Sequence, residues 1–385
     1  MRRSSGPFPP SEARGECGVE QGSNSFPSLR SGRTRSSNRC PSGALLNSAL
    51  DLQKGILMKR THFDKYLAED YELKATEINN DTIISGQLLS KRVKHKTVDI
   101  VGGIPRFIST ENYADNFGLQ WNKFKSTQLD SASGIPLTAQ RFWSNTKWKA
   151  EELSGKTVLE VGSGAGRFTE ILLQAGAIVV SFDYSNAVTA NYDNNKNKGD
   201  LFIFQGDLYD IPFPDGVFDY VFCYGVLQHT PVPTEAYRAI FSKLRSGGKI
   251  SIDYYRKMRI PTPWSTPKYI WRPITSRMNP DTLLKIIEAY IPLYLPIDTA
   301  IRRIPKLGSR IVALIPIPCW NYIGIGLNKK QRLEWAIMDT FDALGATYDT
   351  PKTLEEVKEM VDSPENKEVD VFYGSNGVVV NVLKK

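Results

Sequence analysis

The sequence predicts an α/β protein with a doubly wound, Rossmann-like sheet, a small β module in front of it and a cap inserted behind it. Three observations lead to this prediction. Apolar runs of strand length alternate with helical segments over residues 151–255, the first run ends in a glycine-rich turn, and residues 369–383 form two apolar runs around a Gly-Ser-Asn-Gly turn. Alternating strands and crossover helices are typical of a parallel sheet, and the closing runs predict an antiparallel hairpin.

Residues 1–57 precede these elements. They are rich in Ser, Gly, Arg and Pro and poor in apolar side chains, so folding would not bury enough surface to offset the ordering entropy. We expect a disordered tail. Two interpretations are open, a functional tail and non-native upstream sequence with Met58 as the natural start, and the second is favoured.

Two segments separate the tail from the core. Residues 58–110 contain short β-like runs at 82–89 and 97–101 and predict a small β module. Residues 111–150 are dense in aromatic and charged side chains and predict helices. These helices would form either a packing collar over the core or a lid over a cofactor and substrate, and the sequence leaves both roles open.

A Pro-, aromatic- and base-rich insertion at 256–335 follows the core, and a C-terminal helix and hairpin at 336–385 complete the fold. The insertion predicts a cap with one helical stretch near residues 280–290. Its most apolar segment, 311–327, contains two prolines and an asparagine and is too short and interrupted for an ordinary spanning helix. We expect this segment to be buried or interfacial.

The formal charge of +8 is unevenly distributed. Residues 253–310 carry eleven Lys and Arg against four acids, so a contact with RNA or with an anionic membrane would begin at the cap. The four cysteines and three histidines are scattered, which argues against a metal site or a disulfide framework. The first residues do not resemble a secretory signal, so we expect a cytoplasmic location, with peripheral contact to a membrane as an option.

The main functional signal is the run VLEVGSGAGRF at 158–168. Its apolar strand ends before Gly162, Gly164 and Gly166, and helical spacing follows. Glycine lets the backbone approach a ligand closely, and the helix start directs free N–H groups and partial positive charge toward it. The turn is therefore predicted to bind a nucleotide-like cofactor.

Acidic residues select among such cofactors. Glu160 stands two residues before the first glycine, where it would repel a pyrophosphate but suit the positive amino and sulfonium groups of S-adenosylmethionine (SAM). The G-x-G-x-G spacing also differs from the G-x-G-x-x-G of dinucleotide sites. Asp183 ends the next strand, where it could accept both ribose hydroxyls. Asp207 follows the third strand and could accept from the adenine amino group, with Leu208 packed on the ring.

Five runs carry a family resemblance: EVGSGAGRF at 160–168, SFDYS at 181–185, QGDLYDIPF at 205–213, FDYVFCYGVLQHT at 218–230 and LRSGGKISID at 244–253. Together they resemble class I SAM-dependent methyltransferases of the type 11 group, which includes ubiquinone and menaquinone methyltransferases. The resemblance implies a seven-stranded sheet whose last strand is reversed by the closing hairpin. It also implies that SAM is bound within these runs, by Glu160, Gly162, Ser163, Gly164, Gly166, Asp183, Tyr184, Asp207, Leu208, Val226 and Gln228.

The β module carries a separate resemblance. Its runs IISGQL at 83–88 and GIPRFI at 103–108 resemble the zinc-ribbon-like module that precedes many methyltransferases and accompanies tRNA methyltransferases as an activator. The expected cysteines are absent, and Leu89 and Ser90 stand where a cysteine pair would be sought. The module is therefore expected to hold together by packing, without metal.

Methyl transfer needs an acceptor held in line with the methyl group, and it needs a base only where the acceptor loses a proton. His229, just past the fourth core strand, is the first candidate base and Tyr224 is the second. The alternatives are a structural loop histidine and a pocket-wall tyrosine. Basic residues after the fifth strand could face an acidic acceptor or solvent; these are Arg256, Lys257 and Arg259. Aromatic residues of the cap could line an acceptor site, touch a membrane or pack the core; these are Trp264, Trp271 and Tyr294.

The leading hypothesis is a SAM-dependent methyltransferase that acts on a small-molecule acceptor and needs no metal. Three alternatives are open: an RNA methyltransferase that binds through the basic cap, a non-catalytic SAM-binding partner protein, and an NAD(P)-dependent oxidoreductase. The acceptor depends on the cap and on loops whose geometry is not encoded in any local pattern.

Overall fold

The computed structural model describes residues 58–109, 112–257 and 267–385. The expected tail at 1–57, together with Arg259 and Trp264, lies outside the described residues. In the described part, twelve strands join in one sheet. In chain order they are β1 Met58–Lys59, β2 Tyr71–Asn79, β3 Thr82–Ser90, β4 Thr97–Val101, β5 Ile104–Arg106, β6 Thr157–Val161, β7 Ile178–Asp183, β8 Leu201–Gln205, β9 Phe218–Cys223, β10 Leu244–Tyr254, β11 Asn366–Gly374 and β12 Gly377–Lys384.

Seven of these strands form the core that the sequence predicts, in the order β8-β7-β6-β9-β10-β12-β11. Strands β6 to β10 pair in parallel, whereas β12 runs antiparallel to both β10 and β11. The doubly wound sheet with a reversed closing hairpin is therefore confirmed. The strand order changes direction between β6 and β9, and sheets of this kind bind ligands at the carboxyl edge beside such a point.

Helices cover the sheet and build the cap. In chain order, the described helices are α1 Arg60–Tyr66, α2 Asp115–Lys123, α3 Asp130–Ser133, α4 Leu137–Thr146, α5 Ala150–Leu153, α6 Arg167–Gln174, α7 Val188–Asn195, α8 Pro233–Ser242, α9 Lys268–Thr275, α10 Pro280–Arg302, α11 Gly308–Ala313, α12 Lys329–Gly345 and α13 Leu354–Val361. Local sequence fixes the start of the longest two. The Asn279 side chain accepts from the Thr282 N–H ahead of α10, and Asn328 and Gln331 form a capping box ahead of α12.

The β module continues the core sheet. Strand β5 pairs in parallel with β8 through Arg106 and Gln205, and the Arg106 guanidinium donates hydrogen bonds to Asn186, Thr189 and Gln205. Apolar side chains of the module are buried in one cluster with those of the core strands; they include Met58, Phe63, Tyr66, Leu88 and Ile100. Shared packing and one arginine of the GIPRFI run therefore join the module to the core.

The cap has a small core of its own, where α10 packs against α12. Its buried side chains include Leu283, Ile287, Ile291, Met338 and Phe341. Two helix boundaries differ from the sequence prediction. The stretch expected near 280–290 continues to Arg302 through two prolines because its inner face stays apolar, and α12 begins at Lys329, ahead of the expected boundary at 335.

The apolar segment 311–327 is exposed over its first half. Leu314 and Ile317 are 65% and 40% exposed, so burial does not describe this part of the segment. None of the described helices is long and apolar enough to cross a membrane.

Candidate functional site

The glycine turn joins β6 to α6 at the carboxyl edge of the sheet. Gly162 and Gly164 have φ angles of +71° and +53°, which residues with side chains adopt only under strain. A Cβ atom at Gly162 would collide with Val226, and one at Gly164 would stand 3.0 Å from Cε2 of Trp121. Because the turn carries no side chains at these positions, the loop after β9 and helix α2 approach its backbone directly.

A cavity lies above this turn, and we term it the cofactor cavity. Seven of the eleven predicted cofactor residues line it: Gly162, Ser163, Gly164, Asp183, Tyr184, Leu208 and Val226. They come from the carboxyl ends of four neighbouring strands, β6 to β9. Helix α2 contributes Phe117 and Trp121 to the same cavity, which is the position that a lid would occupy.

Asp183 ends β7 with its carboxylate in this cavity. Oδ2 accepts a hydrogen bond from the Gly164 N–H at 2.9 Å, and Oδ1 accepts from the N–H and hydroxyl of Ser185 at 2.8 and 2.7 Å. Burial raises the pKa of Asp183. A carboxylate has about four acceptor positions, so Asp183 ties β7 to the glycine turn and keeps acceptor capacity for a ligand.

Asp207 follows β8 beside an aromatic pair. Its Oδ1 accepts from the Tyr209 N–H at 2.9 Å. The rings of Tyr113 and Tyr184 stack with their centroids 4.7 Å apart, and burial together with the charge of Asp207 raises the pKa of Tyr184. Asp207 itself does not line the cofactor cavity, so its contact with an adenine amino group stays a prediction.

Glu160 lies beneath the turn, and its carboxylate is not part of the cofactor cavity. The side chain is 1% exposed, and Oε2 accepts hydrogen bonds from Thr169 on α6 and from Ser181 on β7, the latter at 2.8 Å. Asn191 on α7 donates to the same two hydroxyls at 3.0 Å each. Burial raises the pKa of Glu160 to about 7 despite these bonds. Glu160 therefore joins two strands and two helices, and its direct contact with a cationic ligand stays a prediction.

Two further predicted residues support the scaffold. A Cβ atom at Gly166, the N-cap of α6, would collide with Asn191, so glycine there allows α6 and α7 to approach closely. Gln228 is fully buried, and its backbone carbonyl accepts from the N–H and hydroxyl of Thr350 at 2.9 and 3.0 Å. Neither residue lines the cofactor cavity, so their contact with a cofactor stays a prediction as well.

His229 lines the cofactor cavity in a defined tautomer. Its Nδ1 lies 2.8 Å from the carbonyl oxygen of Tyr348. Because a carbonyl only accepts, Nδ1 carries the proton and Nε2 carries a lone pair. Nε2 is buried and has no hydrogen-bond partner within the described chain, and the ring contacts those of Phe117 and Tyr255 at 5.4 and 5.3 Å. In the neutral ring, Nε2 is an acceptor without a partner, and the role of His229 as a base stays a prediction.

Tyr224, the second predicted base, points elsewhere. Its hydroxyl lies 2.8 Å from Oγ of Ser251, which donates onward to Asn381 at 2.6 Å, so the tyrosine is the donor in the first bond. Burial raises its pKa. Tyr224 lines neither the cofactor cavity nor the acceptor cavity, so the geometry gives it a structural place between β9, β10 and β12.

A second cavity of about 1010 Å³ adjoins the first, and we term it the acceptor cavity. Both cavities are lined by Trp121, Gln128, Arg167, Gly225 and Asp342. The acceptor cavity has an aromatic wall, contributed by the end of β10 and by the cap; these residues are Tyr255, Trp320, Tyr322 and Trp335. The size lies at the upper end of the range for small-molecule sites.

The acidic and amide side chains of the acceptor cavity were not predicted from the sequence. Asp339 and Asp342 stand one turn apart on α12, and burial together with the charge of Asp342 raises the pKa of Asp339 to about 7. The Tyr255 hydroxyl donates to Asp342 at 3.4 Å. Both amide atoms of Gln120 are buried and lack a partner among the described residues. The i, i+3 spacing of the two acids was the one local signal, and such spacing is common on solvated helices.

Two of the predicted basic residues, Arg256 and Lys257, line the acceptor cavity, and so does Lys268, which was not among the predicted ones. Lys257 and Lys268 lie 2.6 and 2.7 Å from Glu356 and Asp349, whereas Arg256 stacks on Tyr373 with its guanidinium carbon 4.5 Å from the ring centre. Of the cap aromatics, Trp271 is partly exposed and Tyr294 is buried. The paired cations leave little net positive charge for an acidic acceptor.

Comparisons with known proteins agree with this architecture. A family model described as "Methyltransferase domain" matches residues 159–252. An uncharacterized chloroplastic methyltransferase of Arabidopsis thaliana is 29% identical over 160 residues, covering 39% of this chain and 44% of that protein. The ubiquinone biosynthesis O-methyltransferase of Coxiella burnetii is 33% identical over 100 residues, covering 26% of this chain and 43% of that protein. The chain thus spans less than half the length of these curated relatives.

Solved structures resemble the chain more loosely. Magnesium protoporphyrin IX methyltransferase of Synechocystis, with bound S-adenosylhomocysteine, matches 71% of this chain and 97% of its own at 14% identity and a TM-score of 0.40. A second solved structure is the Haloferax volcanii complex of a methyltransferase activator with a putative methyltransferase. One of its chains matches 37% of this chain and 62% of its own length, at 22% identity and a TM-score of 0.32. No residue role is transferred from either.

Proposed function

We propose that this chain, whose residues 159–252 form a class I SAM-dependent methyltransferase domain of the type 11 group, methylates a small-molecule acceptor held in the acceptor cavity. The observation that carries the proposal is the junction of the two cavities. Five residues line both, so a cofactor on the glycine turn and an acceptor beside α12 would face each other. Holding two reactants in this way supplies much of the acceleration of a displacement reaction.

The residues present fit the cofactor. Asp183 would accept the ribose hydroxyls, Asp207 and Leu208 would hold the adenine, and the backbone of the glycine turn with Ser163 would face the methionine end. SAM supplies an electrophilic methyl group on a sulfonium. The chain's own contribution is to orient the acceptor, to exclude water with α2, and to remove a proton where the acceptor carries one.

His229 is the residue we assign to that proton. Its Nε2 lone pair would take the proton of an acceptor hydroxyl as the oxygen forms its bond to the methyl carbon. The Tyr348 carbonyl would then stabilise the imidazolium through Nδ1, 2.8 Å away. The unpartnered Gln120 amide can donate and accept, which suits a neutral polar group, and the aromatic wall suits a planar or apolar body.

The test starts with cofactor binding. Calorimetry is expected to show binding of SAM and S-adenosylhomocysteine and none of NAD(P), whereas NAD(P) binding without SAM binding would favour an oxidoreductase. Tritiated SAM is then incubated with fractionated extract, and label is expected in a small-molecule fraction. Label in RNA would favour the RNA methyltransferase, and tight cofactor binding without any labelled product would favour the non-catalytic partner.

The base is tested with His229→Gln, and Tyr224→Phe serves as the matched control. With the labelled fraction as substrate, we expect His229→Gln to lower kcat about a hundredfold, the low end for losing a general base, while SAM affinity stays within about twofold. Tyr224→Phe removes a buried hydroxyl outside both cavities and should leave kcat unchanged. Wild-type kcat in His229→Gln would refute the assignment.

A further inference from the structure

The outer side of α10 is apolar where a soluble helix is usually polar. The helix packs one face on the cap core, yet on the opposite face Leu293 is 74% exposed and Ile297 is 54% exposed. A helix on the surface of a soluble protein normally places charged side chains there. Packing within the described chain does not account for this face.

Neighbouring elements continue the apolar surface. Helix α11 packs beside α10. Leu307, just ahead of α11, is 53% exposed, and Leu314, just after it, is 65% exposed. On the other side, the Trp271 indole N–H of α9 donates to the Pro316 carbonyl at 2.6 Å, which brings α9 beside that segment. We term the exposed set the cap face: Trp271, Ile274, Leu293, Ile297, Leu307 and Leu314.

Cations outnumber acids at the end of the cap face that α11 forms. Residues 289–333 contain seven Lys and Arg but one acid, Asp298, which is buried and paired with Arg302. Arg303, Lys306 and Arg310 are exposed and have no acidic partner in the part of the chain that the structure describes. Such cations complement an anionic surface.

We propose that the cap face docks on a membrane that contains anionic lipid. Apolar side chains of α10 and α11 would enter the boundary between headgroups and acyl chains, Trp271 would lie at headgroup level, and the three cations would contact lipid phosphates. The face would lie on the membrane, since none of the described helices is long and apolar enough to cross one. This inference goes beyond the proposed function.

Charge also argues against the other occupants of the cap face. A twofold contact with a second copy would place Arg303, Lys306 and Arg310 of both copies on one interface without exposed acids between them, which is repulsive. RNA would use the cations but would leave Leu293 and Leu314 in water. A membrane satisfies both kinds of side chain at once.

The same stretch of chain connects the cap face to the acceptor cavity. Leu314 lies on the face, and Trp320, Tyr322 and Ile325 further along line the cavity.

The test is flotation of the full chain with vesicles of phosphatidylcholine, with and without phosphatidylglycerol. We expect binding to the anionic vesicles and loss of at least about tenfold in affinity for Leu293→Asp combined with Leu314→Asp. Ile78→Asp combined with Val101→Asp is the matched control, because these β-module residues are 55% and 58% exposed, and it should bind like wild type. Arg310→Gln should weaken binding about fivefold.

Three outcomes would overturn the proposal. The first is equal vesicle binding by wild type and by the variant that combines Leu293→Asp with Leu314→Asp. The second is a wild-type dimer in light scattering that dissociates in this variant, while wild type binds no vesicles. The third is salt-sensitive RNA binding in place of vesicle binding. Calorimetric SAM affinity should be unchanged in the variant, so failure of membrane docking and failure of the proposed methyl transfer are measured separately.

Discussion

The buried carboxylate of Glu160 should make the stability of this protein fall between mildly acidic and mildly alkaline pH. Glu160 is an acid whose pKa in the folded chain, about 7, lies above its ordinary value of 4.5, because burial penalises the charged form. Its contribution to stability is therefore fully present below pH 4.5 and is lost as the pH rises through 7. Glu160→Gln removes the titration and keeps an oxygen that can accept from Thr169 and Ser181.

The magnitude follows from the two pKa values. A difference of about 2.5 pKa units corresponds to about 3 kcal/mol, most of which is expressed between about pH 5 and about pH 8. The free energy of unfolding of wild type, relative to Glu160→Gln, should therefore fall by about 2 to 3 kcal/mol over that interval. The side chain is 1% exposed, so solvent screening does not reduce this figure.

The assay is urea unfolding of both proteins across this pH range. Glu170→Gln is the matched control, because Glu170 is also buried but accepts hydrogen bonds from Lys198 at 2.7 Å and from the Ser131 N–H at 3.4 Å. These bonds outweigh burial and lower the pKa of Glu170. The stability of wild type relative to Glu170→Gln should stay constant from pH 5 to pH 8, because a lowered pKa places the titration of this carboxyl below pH 4.5. A flat difference between wild type and Glu160→Gln from pH 5 to pH 8 would refute the reasoning about burial.

Two further predictions concern the cofactor cavity. Asp183→Ala should weaken SAM binding about tenfold or more in calorimetry, while unfolding stays cooperative. The reason is that a hydrogen bond to a charged acceptor is worth roughly 1.5–3 kcal/mol. Unchanged SAM affinity would contradict the role of Asp183. Gly162→Ala should lower the free energy of unfolding by at least about 1 kcal/mol more than Gly155→Ala does. Both glycines have positive φ, but a Cβ atom at Gly155 meets no atom within 4 Å, whereas one at Gly162 collides with Val226. Equal losses in the two variants would count against the close approach of Val226.

Much of the core could be predicted from the sequence because its signals are local. Alternating apolar runs define the strands, and parallel strands necessarily bring their carboxyl ends to one edge, which places Gly162, Asp183 and Leu208 together. The surroundings of the Glu160 carboxylate could not be predicted in this way. Its position ahead of the turn indicated contact with a ligand, but neighbours on three other elements enclose its carboxylate, and no local pattern encodes that enclosure.

The sequence by itself determined the sheet, the glycine turn, the acidic strand ends and the presence of a histidine past β9. Only the tertiary structure decided the rest. The tautomer of His229 depends on the carbonyl of Tyr348, 119 residues away, and the acceptor cavity takes its walls from α2, α12 and the cap. The exposed side of α10 is equally invisible in the sequence, because a helix that is apolar all round is normally buried, and which face stays open depends on the elements packed against it.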